Sequence, residues 1–330
     1  MIIAALQFIG GAILVILAGV TLTKNADTLG KTLGLSAGWA GILILPLATS
    51  LPELVSSFRA VLISAPDLAV GNLFGSNLFN ITILALVDLF QGKGSLLYRL
   101  KDGHVMSASL SIFLLAIAGL GLLVPLPVIM GGWISFNTLL LMGAYLAASK
   151  LITSYDKRSI PDTDAGSNEE FASPRKALLC FIMAAAVILI AGTYLTDASD
   201  VIALETGLGR TFVGSIFLAI ATSLPEVVTT STAARMGKLD MAVGNIFGAN
   251  MYNMFILGMI DVAYFPGNLL KESSFEHLLT LLMCIALTSL VTVGLVNRSV
   301  KAVGPIGYDS IVIVLGYLIA VAALFYMRLA

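Results

Sequence analysis

A 37-residue segment occurs twice in this chain, and each copy places a glutamate in the middle of an apolar stretch. The first copy begins ATSLPELV at Ala48 and the second begins ATSLPEVV at Ala221, an offset of 173 residues (221 − 48). Residues 48–84 and 221–257 are identical at 19 of 37 positions without a gap, and most of the shared residues are polar residues, glycine or proline. Polar residues duplicated at membrane depth indicate one polar site built from two halves.

Composition places the chain in a membrane. Hydrophobic residues make up 58% of the 330, charged residues 11%, and the mean hydropathy is +0.99. Soluble domains have about 25% charged residues, so we predict an all-α polytopic membrane protein. Ten segments are near the ~20 residues that a helix needs to cross the hydrocarbon. They cover residues 2–22, 35–61, 66–89, 104–123, 126–149, 174–196, 209–234, 239–263, 275–296 and 309–328.

The basic residues indicate the orientation of these spans. The first span lacks a basic segment before it and is interpreted as a retained span, not a signal peptide. With the N-terminus outside, 14 of the 18 Lys and Arg residues fall at the inner ends of spans, and four fall outside. The four are Arg59, Arg210, Lys271 and Arg328. This positive-inside bias predicts that both termini face outward.

The chain divides into two halves of five spans each. The most polar stretch, 153–173, is predicted to be a cytoplasmic linker between a first half, 1–152, and a second half, 174–330. The repeat also extends beyond its core, since Ala18, Gly19 and Asp27 recur as Ala191, Gly192 and Asp200, and Asp88 as Asp261. Five spans per half make the repeat inverted, which is typical of alternating-access transporters.

Glu53 and Glu226 lie near the middle of the second and seventh spans. A bare carboxylate at this depth costs at least about 2.5 kcal/mol unless it faces a cavity or a partner. The sequence offers no Lys or Arg at matching depth, so a cation from solution is the predicted partner. A protonated, hydrogen-bonded glutamate is the alternative.

A proline precedes each glutamate. Pro52 and Pro225 lack an N–H and clash with the carbonyl four residues earlier, so the helices should break near Ala48 and Ala221. Irregular backbone at this depth is tolerated where it lines a cavity. A simple kink is the alternative for either proline alone.

Hydroxyl and amide side chains surround each glutamate in the sequence pattern. Thr49 and Ser50 share a helix face with Glu53, as Thr222 and Ser223 do with Glu226. On the next span, side chains four residues apart form a stripe, namely Asn72, Ser76 and Asn80, repeated as Asn245, Ala249 and Asn253. The pairs Gly71–Gly75 and Gly244–Gly248 are predicted to be close-packing contacts that bring the stripes near the glutamates.

Oxygen ligands without Cys or His define the type of ion. Such a set suits Ca²⁺ or Na⁺ and disfavours Zn²⁺, while two carboxylates carry the charge that one Ca²⁺ neutralises. A dry site also disfavours Mg²⁺, which loses its water reluctantly. His104 and His277 lie near predicted span ends, where we expect loop residues.

The paired ATSLPE and GN-[LI]-F-G-[SA]-N motifs resemble the two alpha repeats of the calcium/cation antiporter family, specifically its prokaryotic sodium/calcium exchangers. The resemblance covers both halves and the ten-span plan. It implies exchange of Na⁺ against Ca²⁺ by alternating access in a prokaryotic inner membrane, with spans one and six sliding across a rigid core. Ca²⁺ and Na⁺ would be transported substrates, with no cofactor, no nucleic acid and no obligate protein partner.

The resemblance also implies roles for individual residues. Glu53 and Glu226 would be carboxylates shared by Ca²⁺ and Na⁺, with further oxygens from Thr49, Ser50, Thr222, Ser223, Ser76, Asn80 and Asn253. Three positions depart from the family pattern. Ala249 stands where a Ser is expected, Asn253 where an Asp can occur, and Pro46 where a small residue is usual. The missing hydroxyl weakens one Na⁺ position and leaves a three-Na⁺ stoichiometry open.

Two other functions fit the same residues. An H⁺-coupled antiporter of Ca²⁺ or another cation would use the glutamates as proton carriers. A cation channel is less consistent with inverted repeats around a dry site. An enzyme is not predicted, because HExxH does not occur in the sequence and His is absent from the centres of the predicted spans.

Overall fold

The fold is almost entirely helical across the described residues. The computed structural model describes residues 2–32, 45–91, 96–100, 102–124, 127, 134–156, 174–237, 239–298, 302–303 and 306–327. The first half contains six helices: α1 (Ile2–Thr32), α2 (Leu45–Thr49), α3 (Leu51–Leu62), α4 (Pro66–Gln91), α5 (Gly103–Leu123) and α6 (Phe136–Asp156). A short 3₁₀ turn, Leu97–Arg99, precedes α5.

The second half repeats this order. Its helices are α7 (Pro174–Thr206), α8 (Arg210–Thr222), α9 (Leu224–Arg235), α10 (Leu239–Ala263), α11 (Leu269–Glu272), α12 (His277–Asn297) and α13 (Tyr308–Met327). Two two-residue strands, β1 (Ala302–Val303) and β2 (Ile306–Gly307), pair antiparallel before α13. A π-helical turn, Gly214–Leu218, interrupts α8.

The polytopic membrane fold is confirmed. Among the described residues, eight helices are long and apolar enough to cross a membrane, and the bent pair α8–α9, with a 44° angle, makes a ninth span. The predicted span 35–61 corresponds to α2 and α3, while residues 35–44 lie outside the described residues. The prediction of about ten spans in two inverted five-helix repeats therefore holds.

The predicted limits of three spans were wrong. The span predicted for 126–149 is the helix Phe136–Asp156, which begins ten residues later and runs past residue 153. Spans one and six end about ten residues later than predicted, at Thr32 and Thr206, because both helices continue beyond their apolar windows. Residues 157–173 of the predicted linker lie outside the described residues, so the division into 1–152, 153–173 and 174–330 stays a prediction.

The two stripe-bearing helices form the centre of the molecule. In their apolar windows, 89% of α4 and 78% of α10 is buried, against 28% for α1 and α7. Helices α4 and α10 pack on each other and on the broken pairs α2–α3 and α8–α9. The long helices α1 and α7 pack together, with α1 also against α9 and α7 against α3. The buried centre is therefore a four-part core with a peripheral helix pair beside it.

In each half, an aspartate at the equivalent position accepts a hydrogen bond from the backbone of the segment that follows its helix. The Asp88 carboxylate accepts a hydrogen bond from the backbone N–H of Leu96 at 2.7 Å, and Asp261 accepts one from Leu269 at 2.7 Å. Both donors lie eight residues after their aspartate, and all four positions obey the offset of 173. These two bonds show the repeat in three dimensions.

The two histidines are not loop residues, so that expectation was wrong. His104 lies in the first turn of α5 and His277 in the first turn of α12, and both side chains are buried. Their Nε2 atoms contact aspartates of the other half, 3.0 Å from Asp240 Oδ1 and 3.2 Å from Asp67 Oδ1. The pairs join α5 to α10 and α12 to α4, which explains their burial.

The Gly71–Gly75 pair packs as predicted. A Cβ added to Gly75 would lie 2.1 Å from the carbonyl oxygen of Ser215, and one added to Gly71 would lie 3.0 Å from the Ser215 nitrogen. The π-helical turn of α8 thus rests directly on the α4 backbone. For Gly244 and Gly248 the close packing stays a prediction.

We expect Gly75→Ala to destabilise the fold, because the new methyl group meets backbone that cannot move without shifting α8. Overpacking of this kind costs about 1–3 kcal/mol. Gly143→Ala on α6 is the matched control, since an added Cβ there meets nothing within 4 Å. Thermal unfolding in detergent measures both. Equal melting temperatures for the two variants would contradict the close packing.

Candidate ion-binding site

The helix breaks lie beside the glutamates. Helix α2 ends at Thr49 and α3 begins at Leu51, so the break falls on Ser50, and Ser223 separates α8 from α9 in the same way. The two serines have nearly equal backbone angles, with φ of −87° and −86°. Each break therefore lies two residues later than predicted and two residues before the proline, and it places a serine and a glutamate about one turn apart.

The two halves exchange hydrogen bonds at these breaks. Ser50 Oγ donates to Glu226 Oε1 at 3.1 Å, and Ser223 Oγ donates to Glu53 Oε1 at 2.7 Å. All four side chains are completely buried. Because each glutamate receives its hydroxyl from the opposite repeat, the two carboxylates belong to one central site.

The asparagines of the central helices form a second crossed network. Asn80 Nδ2 donates to Asn250 Oδ1 at 2.9 Å, and Asn253 Nδ2 donates to Asn77 Oδ1 at 2.9 Å. All four side chains are buried. Asn80 and Asn253 were predicted site residues, while the sequence analysis missed Asn77 and Asn250. Their identity in both repeats, one residue after Ser76 and Ala249, was the available signal.

Four buried oxygens of the predicted site have no hydrogen-bond partner among the described residues. They are Glu53 Oε2, Glu226 Oε2, Asn80 Oδ1 and Asn253 Oδ1. An unsatisfied buried acceptor costs about 1–3 kcal/mol, and more if it is charged. All four are acceptors, which is the kind of atom that binds a cation.

The halves differ around the remaining hydroxyls. Ser76 Oγ lies 3.4 Å from both Glu53 Oε1 and the carbonyl oxygen of Ala219, whereas Ala249 has no hydroxyl to offer Glu226. Thr222 Oγ1 donates to Asn72 Oδ1 at 3.0 Å, while Thr49 Oγ1 lies 3.5 Å from the Pro46 carbonyl oxygen. The hydroxyl set is therefore richer on the Glu53 side.

Asn72 and Asn245 support the glutamate helices. Asn72 Nδ2 donates to Ser57 Oγ at 2.9 Å, and Asn245 Nδ2 donates to Thr230 Oγ1 at 3.2 Å. These equivalent bonds tie α4 to α3 and α10 to α9, one turn beyond each glutamate. The structure thus uses their amide groups to hold the glutamate helices against the central helices.

The chemistry of this set favours hard cations. Within the described residues, neither glutamate forms an ion pair with a basic side chain. No group of three or more His, Cys, Asp and Glu side chains suited to a metal occurs in the same part of the chain. Two carboxylates with amide and hydroxyl oxygens match the ligands of Ca²⁺ and Na⁺ better than those of Zn²⁺ or Cu⁺.

An inverted-repeat membrane fold with acidic and amide oxygens at its buried centre defines a secondary cation transporter. A model of the family described as sodium/calcium exchanger protein matches residues 3–152 and 176–326. The chain belongs to this family, and it is a cation antiporter and not an enzyme.

Individual relatives span nearly the whole chain. Inner membrane protein YrbG of Escherichia coli (strain K12) is 30% identical over 288 residues, which covers 82% of each chain. Sodium/calcium exchanger MaX1 of Methanosarcina acetivorans is 26% identical over 338 residues, covering 92% of this chain and 93% of the relative.

A solved structure shows the same fold. The sodium-calcium exchanger NCX_Mj, soaked with 10 mM Na⁺ and zero Ca²⁺, matches with a TM-score of 0.67 and 18% identity. The match covers 98% of this chain and 99% of that one.

Proposed function

We propose that this antiporter exchanges Na⁺ for Ca²⁺ by alternating access, using the inward Na⁺ gradient to expel Ca²⁺. The observation that carries the proposal is the set of four unpartnered oxygens on Glu53, Glu226, Asn80 and Asn253. The sodium/calcium exchanger named among the relatives supports the same pair of ions.

Charge supports Ca²⁺ as the divalent substrate. Glu53 and Glu226 together carry −2, which one Ca²⁺ neutralises inside the buried core. Ca²⁺ accepts six to eight oxygen ligands in flexible geometry, while Mg²⁺ keeps several of its waters. The completely buried side chains leave little room for such waters, so the site favours Ca²⁺ over Mg²⁺.

Na⁺ would use the same glutamates together with the neighbouring hydroxyls. Ser50 and Ser223 each contact a glutamate across the repeat, and Ser76 contacts Glu53. Thr49 and Thr222 are buried beside the two breaks. Because both ions need the same carboxylates, they compete, and this competition is the condition for exchange.

The peripheral helices supply the moving part of the proposal. Helices α1 and α7 pack on each other, and small residues face the core where they cross it. A Cβ on Gly19 would lie 2.6 Å from Pro225 Cγ, and one on Gly192 would lie 2.9 Å from Val55 Cγ1. Glycines at both crossings let the pair pack closely on the core, and we propose that the pair slides along this contact.

Ion flux in proteoliposomes tests the proposal. We expect Ca²⁺ uptake into Na⁺-loaded vesicles to follow the outward Na⁺ gradient and to be lost in Glu53→Gln and in Glu226→Gln. Each variant removes a charged ligand, so the loss should exceed the about 10- to 100-fold that changes of supporting residues cost. Glu276→Gln, at the N-cap of α12, is the control variant, because it removes a carboxylate from another part of the structure.

The same experiment distinguishes Na⁺ coupling, H⁺ coupling and a channel when the imposed ion gradient is varied. Uptake driven by a pH gradient in the absence of Na⁺ would show that H⁺ is the coupling ion, and the site assignment would stand. Wild-type uptake in both glutamine variants would remove the site assignment itself. Flux that needs no counter-ion and does not saturate would identify a channel.

The missing hydroxyl at Ala249 generates a further prediction. We expect Ala249→Ser to lower the Na⁺ concentration for half-maximal exchange about fivefold, because one added hydrogen-bonding group contributes about 1 kcal/mol. Ser76→Ala, the reciprocal change in the other repeat, should raise the Na⁺ concentration for half-maximal exchange by a similar factor. Na⁺ titration of Ca²⁺ uptake measures both, and unchanged values in both would show that these positions do not reach Na⁺.

We also propose a prokaryotic inner-membrane location with both termini outside. The relative YrbG is named an inner membrane protein, and the charge bias sets the orientation. Two of the four basic residues predicted outside, Arg59 and Arg210, are paired with Asp197 and Asp200, so their charges are compensated.

Reporter fusions check this orientation. Alkaline phosphatase fused after Ala330 should be active, and green fluorescent protein at the same position should be dark, because the C-terminus would lie outside. The same reporters inserted in the predicted linker after Gly166 are the control and should give the opposite result. A fluorescent C-terminal fusion would reverse the assignment.

A further inference from the structure

Two asparagines join the central helices around the axis that relates the repeats. Asn77 Nδ2 on α4 donates to the backbone oxygen of Asn250 at 3.2 Å, and Asn250 Nδ2 on α10 donates to the backbone oxygen of Asn77 at 3.2 Å. The two positions differ by 173, so they are equivalent in the repeat. Both side chains are completely buried.

These backbone bonds determine which way each amide points. A carbonyl oxygen can only accept, so the group of Asn77 that faces it must be the NH₂ group. The Asn77 Oδ1 atom is then directed to the other side, where it accepts from Asn253 Nδ2 at 2.9 Å. By the same logic, Asn250 Oδ1 accepts from Asn80 Nδ2 at 2.9 Å.

The same hydrogen bonds therefore also fix the orientation of the side-chain amides of Asn80 and Asn253. With their NH₂ groups bound, Asn80 and Asn253 present only Oδ1, and both of these oxygens are buried without a partner in the part of the chain that the structure describes. Rotation of either amide would turn an N–H donor toward the cation and repel it. The backbone carbonyl of Asn250 thus orients Asn77, which in turn orients the amide of Asn253. The backbone carbonyl of Asn77 orients Asn250 and, through it, the amide of Asn80.

We propose that Asn77 and Asn250 are positioning residues for ion binding, each aligning the amide oxygen of one asparagine ligand. Asn77 aligns Asn253, and Asn250 aligns Asn80. The inference rests on the proposed function, in which Asn80 and Asn253 bind Ca²⁺. It adds two residues that do not touch the ion and a crossed pattern of dependence between them.

A double-mutant cycle tests this pattern. The readout is the KM for Ca²⁺ in Na⁺-driven uptake, with the melting temperature in detergent measured in parallel. Asn77→Ala and Asn250→Ala should each raise the KM about 10- to 100-fold, the usual effect of removing a residue that orients a metal ligand. Asn80→Ala and Asn253→Ala are measured alone and in combination with each of these two variants.

The crossed pairs distinguish positioning from a general loss of packing. Asn250→Ala should add nothing to Asn80→Ala, because the oxygen that it aligns is already absent, but should multiply the effect of Asn253→Ala. Asn77→Ala should behave in the opposite way. A structural role would instead lower the melting temperature and give similar coupling for all four pairs. If an alanine variant does not fold, Asn→Ser at the same position replaces it.

Some results would overturn the inference alone, and another would also contradict the proposed set of ion ligands. If Asn80→Ala and Asn253→Ala raise the KM while Asn77→Ala and Asn250→Ala stay within about twofold of wild type, only the inference fails. The same holds if the effects multiply in all four pairs. If Asn80→Ala and Asn253→Ala leave the KM unchanged, the proposed ligand set fails together with the inference.

Discussion

The structure depends on two buried carboxylates that each half of the chain can satisfy only in part. Glu53 accepts hydroxyls from Ser223 at 2.7 Å and Ser76 at 3.4 Å, and Glu226 accepts one from Ser50 at 3.1 Å. A hydrogen bond to a charged group contributes about 1.5–3 kcal/mol, whereas burying an ion costs several kcal/mol. The difference remains until a cation or a proton neutralises the carboxylates, which is the physical basis of the proposed cation binding.

The irregular backbone around the site follows from this crossing of bonds. Ser50 and Ser223 must reach the carboxylate of the opposite repeat, which requires the helices to stop just before Pro52 and Pro225. The approach also requires α8 to lie against the α4 backbone, and Gly75 permits this. The breaks and the glycine contact therefore serve the same purpose, which is to bring two carboxylates of different repeats into one buried space.

Much of the fold could be predicted from the repeat, but the contacts across it could not. The constant offset identified Glu53 and Glu226 as equivalent and predicted the inverted halves. It could not show that Ser50 bonds to Glu226 and not to Glu53, because an offset gives equivalence and not proximity. Asn77 was missed for a related reason, since its partners, Asn250 and Asn253, lie across the axis. Helix ends such as Asp156 were misplaced because amphipathic turns extend beyond the apolar window.

The departures from symmetry act on different parts of the transport cycle. Ser76 and Ala249 differ beside the carboxylates, where the Ser76 hydroxyl contacts Glu53 and Ala249 has no hydroxyl. The Arg59–Asp197 pair has Thr232 and Lys24 at the equivalent positions, so it has no counterpart related by the repeat, and it ties α3 to α7 outside the candidate site. The halves are identical at the residues that bond across the repeat, which are the serines at the helix breaks, the glutamates and the crossed asparagines. They diverge beside Glu226, where Ala249 replaces the serine, and at the Arg59–Asp197 contact between a peripheral helix and the core, so the repeat constrains the shared centre more tightly than its surroundings.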